Sequence, residues 1–177
     1  STYARTVFDI NRVLELAGKP YGVRLSLADY LDSSRSPVKS SDLLQAAETP
    51  GNNPYYPYFS RRMPQILAET PDYIGFSLNF LSQALCTMAM IGFIKKIHPG
   101  QKILLGGSLV TSWIQISGKT HLFPGLVDEL VAGAGEEKLL NLLGIKEHHC
   151  HASTDYRLLE QNCYLSPGFV LPYSSAL

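Results

Sequence analysis

The sequence predicts an α/β domain built on a doubly wound parallel sheet with helices on both faces. Three observations carry that prediction. Short apolar-rich runs recur at Asp72–Leu78 (DYIGFSL), Lys102–Leu105 (KILL) and Val127–Ala132 (VDELVA), each followed by small residues and then by a helical pattern. The DYIGFSL run is apolar enough to be a central strand covered on both sides. The alternation also puts three turns of Gly, Ser or Asn at the carboxyl ends of strands, the edge where open α/β sheets hold ligands.

The elements follow in order. Thr6–Ala17 spaces Val7, Ile10, Val13, Leu14 and Ala17 as an amphipathic helix, stopped by Gly18, Lys19 and Pro20. Gly22–Leu27 (GVRLSL) alternates apolar and polar residues like a strand, which would make four strands in all. A first strand upstream of Ser1 would complete the sheet. A short helix is expected around Ser41–Ala47. The stretch TPGNNPYYPYFSRRMP, with four prolines and a Gly51-Asn52-Asn53 turn, then argues against continuous helix or sheet. Its rings Tyr55, Tyr56, Tyr58 and Phe59 suit a lid on a planar ligand, a docking surface, or a loop pinned to its own surface.

Met63–Glu69 reads as a short helix. Ser82 is a plausible N-cap for the apolar helix SQALCTMAMIGFIKKI, whose Lys95 and Lys96 favour the negative end of the helix dipole. Cys86, Met88 and Met90 within it read as core filler. A weak helix at Thr111–Ile116 precedes the loop SGKTHLFPG, and a last helix starts at Glu136. Residues 1–147 form the expected domain, and 148–177 the expected linker, with one short helix near Tyr156–Gln161.

Composition excludes several classes. The 15 basic and 15 acidic residues balance, so bulk charge points to neither nucleic acid nor a membrane. Cys86, Cys150 and Cys163 lie 64 and 13 residues apart, matching no zinc motif or small disulfide framework, which favours a reducing, cytoplasmic setting. No secretory signal pattern and no long apolar run is visible. Ser1 has no Met before it and VLPYSSAL has no stop signal, so both ends are expected to continue in a longer protein.

No nucleophile elbow, phosphate-binding loop or HExxH follows any predicted strand. Gly133-Ala134-Gly135 lacks the third glycine of a dinucleotide fingerprint and follows a late strand. Gly106-Gly107 could admit a bulky ligand to the backbone, or could simply make a tight strand-to-helix turn. The cluster His148, His149, Cys150 and His151 is crowded onto one short segment with no second ligand group, and reads as a solvated linker rather than a metal site. Asp128 and Glu129 should point to opposite faces, as charges at the start of a strand rather than an acid/base pair. No catalytic residue and no metal ligand is assigned.

Taken together, the three turns resemble the cobalamin-binding domain that precedes the catalytic barrel of cobalamin-dependent radical S-adenosylmethionine enzymes. PDYIGFSLNF resembles that family's "pD-x-[IV]-G-[IF]-S" strand, KILLGGSLVT its "K-x-[IV]-[IV]-x-G-G-x-x-x-T" run, and VDELVAGAGEEKLLNLLG its "vD-x-[IV]-V-x-G-E-G-E-x-x-L-x-x-L" run. The match spans Pro71–Gly144, and Ser77 lies 29 residues before Gly106, similar to the interval in cobalamin domains generally. The resemblance implies a Rossmann-like, flavodoxin-like fold. It implies cobalamin contacts at Ser77, Leu78, Asn79, Gly106, Gly107, Ser108, Gly133, Ala134, Gly135 and Glu136. The tail YLSPGFVLPYSSAL is similar to the approach to the family's cysteine loop.

The departures narrow what the resemblance implies. The DxHxxG motif is absent, which implies base-off cobalamin without a protein His ligand. Ala134 stands at the first Glu of the family's GEGE. The CxxxCxxC motif is missing too, so the [4Fe-4S] cluster and S-adenosylmethionine belong only to the intact protein, with its radical barrel as partner domain. The expected function is a corrinoid-positioning module, itself not catalytic, within an enzyme of methyltransferase class. One rival is a degenerate domain that docks a substrate or partner without cofactor. Another is a stand-alone flavodoxin-like domain; the lack of an acidic cluster at the strand ends argues against phosphorelay.

Overall fold

The computed structural model describes residues 2–119, 121–142 and 144. The chain divides into two units, Ser1–Ala132 and Gly133–Leu177, taken in turn. The expected boundary at 147, the linker 148–177, the histidine cluster and the helix near Tyr156 lie outside the described residues.

The first unit runs α1 (Thr2–Gly18), β1 (Val23–Leu25), β2 (Tyr30–Asp32), α2 (Ser40–Glu48), α3 (Tyr56–Ala68), β3 (Tyr73–Ser77), α4 (Leu81–Ile97), β4 (Lys102–Gly106), α5 (Ser108–Ser117) and β5 (Glu129–Val131). Its main sheet is parallel, with strands in the order β3-β4-β5. The architecture is therefore α/β, with a three-stranded parallel sheet flanked by helices.

The expected fourth strand is not in that sheet. β1 keeps the predicted alternation, with Val23 and Leu25 buried and Arg24 exposed, but it pairs antiparallel with the unpredicted β2 as a separate hairpin. The Ser26 hydroxyl accepts the Asp29 amide at 2.9 Å and closes the turn, and Asn11 of α1 accepts the Leu27 amide at 2.8 Å. Periodicity reports which side chains are buried, not which sheet buries them.

Register separates the two faces of the sheet. Ile74 lies beside Ile103, Phe76 beside Leu105, and Leu105 beside Leu130, and all five join the core. Sequential strand order with right-handed crossovers puts α4 and α5 on this same face. The other face carries Tyr73, Gly75, Ser77, Lys102, Leu104 and Val131, none of them in the core cluster, and Gly75 and Ser77 are exposed. Coverage of DYIGFSL on both faces, as read from its apolarity, is not found within the first unit.

α4 is the central helix. Met88, Ile91 and Ile94 are fully buried, each stabilising the fold by roughly 1.5–3 kcal/mol. The helix packs on the sheet on one side and on α2 and α3 on the other. A Cβ at Gly92 would overlap the Ala47 carbonyl, so this glycine permits the close crossing of α4 on α2. Phe59, Tyr56 and Phe93 form a ring cluster with centroids 5.4–5.7 Å apart. Helix α3 thus runs through Tyr56–Ala68, joining the expected helix at Met63–Glu69 to the proline-rich stretch before it, and it takes in two of that stretch's four prolines, Pro57 and Pro64. Pro57 sits in the first turn, where no backbone donor is needed, and burial of Phe59 and Met63 holds the helix through Pro64. α4 also starts at Leu81, before Ser82. The Gln83 side chain, not Ser82, accepts the amides of Asn79 and Phe80.

The amino end of the sheet is held by charge. Lys95 donates to Asp128 Oδ2 at 2.8 Å, and the same oxygen accepts the Ile103 amide at 2.8 Å. Burial pulls the Asp128 pKa up, but the Lys95 and Ile103 hydrogen bonds with the charges of Lys95 and Lys102 outweigh it. The carboxyl is held below its usual range. Asp128 is thus a structural tie.

The second unit holds, among its described residues, the turn Gly133–Gly135 and the seven-residue helix α6 (Glu136–Leu142).

Candidate functional site

The first two turns meet at the carboxyl ends of β3 and β4. Leu78 donates its amide to the Gly106 carbonyl at 2.7 Å, and its own carbonyl accepts the Leu109 amide at 3.2 Å. Its side chain is completely buried. Leu78 therefore places its side chain in the core: the chain alternates faces, and this position turns inward.

Asn79 ties the edge together. Its Oδ1 accepts the Ser108 amide at 3.0 Å, its carbonyl accepts the Ser108 hydroxyl at 3.1 Å, and its Nδ2 donates to the Ser77 hydroxyl at 3.2 Å. Ser77, Asn79 and Ser108 are all exposed. The structure brings together these three polar residues from two neighbouring strand ends, 29 residues apart in sequence.

The glycine pair serves the chain itself. Gly107 has φ 107°, and a Cβ there would overlap the backbone of Leu78. A Cβ on Gly106 would lie 3.2 Å from the Val131 carbonyl. Gly107 thus makes the tight strand-to-helix turn, and Gly106 permits the close approach of β5. Gly133, Ala134, Gly135 and Glu136 lie in the second unit, where Gly133 has φ 67° and the Gly135 carbonyl accepts the Leu139 amide at 2.9 Å.

Ser77 also opens onto a cleft of about 600 Å³ between the β1–β2 turn, Tyr55 and the first turns of α4. Tyr30 and Tyr55 flank it with ring centroids 6.4 Å apart, and Cys86 and Met90 also line it. The Asn53 amide donates to Cys86 Sγ at 3.5 Å. Burial, opposed by that hydrogen bond, pushes the Cys86 thiol up to about 11. Burial also raises the Tyr30 and Tyr55 phenols. At neutral pH these groups are uncharged hydrogen-bonding and stacking surfaces rather than nucleophiles. The arrangement can bind a ligand; the residues described here form no nucleophile–base pair and no cluster of metal-ligating side chains.

Sequence reasoning missed Cys86 and Tyr30 as cleft residues. Of the cleft residues, Ser77 carried a signal through its place in the strand-end turn, and Tyr55 through its place in the aromatic cluster. No family model matches the chain, and no curated protein and no solved structure matches it significantly.

Proposed function

We propose that the chain is a cobalamin-binding module, with β3-β4-β5 as the consecutive half of a doubly wound, flavodoxin-like sheet. The observation that carries this reading is the Asn79 bridge, which presents the hydroxyls of Ser77 and Ser108 and the Asn79 amide on one exposed ligand edge. These groups suit the amide-bearing rim of a corrinoid. Because Leu78 and Val131 fill the space beside the glycines, the contacts fall to Ser77, Asn79 and Ser108 and to the cleft walls. The turn Gly133–Glu136 is the further contact that the motif resemblance implies.

Cobalamin would supply methyl transfer or related radical chemistry, and the chain would hold and orient it. Binding is base-off, without a histidine from this chain. The [4Fe-4S] cluster, S-adenosylmethionine and the methyltransferase activity belong to a longer protein that includes a radical barrel, in the cytoplasm. The test is to incubate the chain with hydroxocobalamin, desalt it and record the visible spectrum. Retained corrinoid absorbance supports the reading, and its absence with folded protein overturns it.

One observation favours the degenerate docking module as a second reading. The packing of Gly107 on Leu78 and of Gly106 beside Val131 gives both glycines a use with no ligand at all. A folded chain that retains no corrinoid would select it.

A further inference from the structure

A second groove, of about 650 Å³, lies between the loop before α2, α2 itself, α5 and the loop that follows α5. It shares no lining residue with the cleft at Ser77. Its walls are mainly apolar, and Leu44, Leu81 and Ile116 are exposed on it, Ile116 at 85 %. Trp113 stands in the wall, its ring 5.8 Å from that of Phe123. Scattered exposed apolar side chains need no explanation, but a concave cluster of this volume has the size and lining of a small-molecule site.

Charge selects the occupant. The groove is also lined by Lys119 and His121, and no carboxylate is among the described residues that line it. An apolar trough with an ammonium and an imidazole and no opposing acid matches a molecule with an apolar body and one anionic head. We propose that this groove binds an amphipathic carboxylate of the fatty-acid class, its alkyl chain along Trp113 and Ile116 and its head at Lys119. This is a site separate from the corrinoid edge, and it stands or falls independently of it.

Trp113 is the sole tryptophan of the chain, so its fluorescence reports on the groove directly. The experiment titrates the full chain with dodecanoate below its micellar range. A saturable change in Trp113 emission is expected, with decanoate binding about fifteenfold more weakly for the loss of two methylenes. Dodecan-1-ol and dodecyltrimethylammonium should bind more weakly than dodecanoate. Lys119→Glu should weaken dodecanoate at least about tenfold while leaving dodecan-1-ol unchanged, and Ile116→Asp should weaken both. Both substituted positions are exposed, and thermal melts confirm folding; Lys119→Gln serves if Lys119→Glu does not fold. The proposal is overturned by an unchanging emission in folded protein. It is equally overturned by equal affinities for the three head groups, or by a concentration-dependent dimer that dodecanoate does not dissociate.

Discussion

The side chain of Asn79 holds the first amide of α5, that of Ser108, at 3.0 Å, while the Asn79 carbonyl accepts the Ser108 hydroxyl at 3.1 Å. Two strand ends are thereby locked by one residue. Asn79→Ala should destabilise the chain by about 0.5–1.5 kcal/mol, at the low end because the residue is exposed. Calorimetry should show a fall of a few degrees in Tm, and amide exchange at Ser108 should quicken.

Gly107 and Gly75 should respond in opposite ways to the same change. Gly107→Ala forces a Cβ onto the Leu78 backbone at positive φ and should cost roughly 2–4 kcal/mol. Open space lies where a Cβ on Gly75 would stand, so Gly75→Ala should be neutral or stabilise by up to about 1 kcal/mol. Urea unfolding of the two variants checks the pair.

Asp128 gives stability a pH dependence of known sign. Its carboxyl is held below the usual range, so its contribution is present above about pH 4 and is lost as pH falls through the lower folded value. The side chain is 42 % exposed, which limits the effect to about 1 kcal/mol. Asp128→Asn should lower stability at pH 7 and flatten the acid limb of a stability–pH curve.

Cys86 should alkylate slowly at pH 8. With its thiol pushed up to about 11, little thiolate is present, and stability should fall as pH rises from about 9 toward that value. Iodoacetamide kinetics in a Cys150→Ser, Cys163→Ser background measures this. A rate equal to that of a free thiol at pH 8 would contradict it.

Much of the fold was legible because apolar periodicity marks helices and strands, although on α1 it does not mark burial, since Ile10 and Val13 are exposed. α1, α2, α4, α5 and the strands β3, β4 and β5 all fall where the pattern put them, within a few residues. What the pattern does not carry is partnership. The alternation of Val23 and Leu25 could not say that β1 pairs with Tyr30–Asp32. The prolines at 57 and 64 signalled a break, yet burial of Phe59 and Met63 overrode them. At the candidate site, Ser77, Asn79 and Ser108 were legible as small polar turn residues. Their joining through Asn79 was not, since it spans 29 residues of chain. The packing of Gly107 on the Leu78 backbone was not legible either, because a sequence motif does not distinguish a glycine cleared for a ligand from one cleared for a neighbouring backbone.

The central claim is most directly tested by equilibrium binding of hydroxocobalamin to the chain and to Ser108→Tyr, which places a bulky ring on the exposed edge and keeps the Ser108 amide bond to Asn79. The account predicts saturable corrinoid binding by the chain and at least about tenfold weaker binding by a variant that melts like the parent. Folded protein that binds no corrinoid, or a variant that binds it undiminished, would contradict the account.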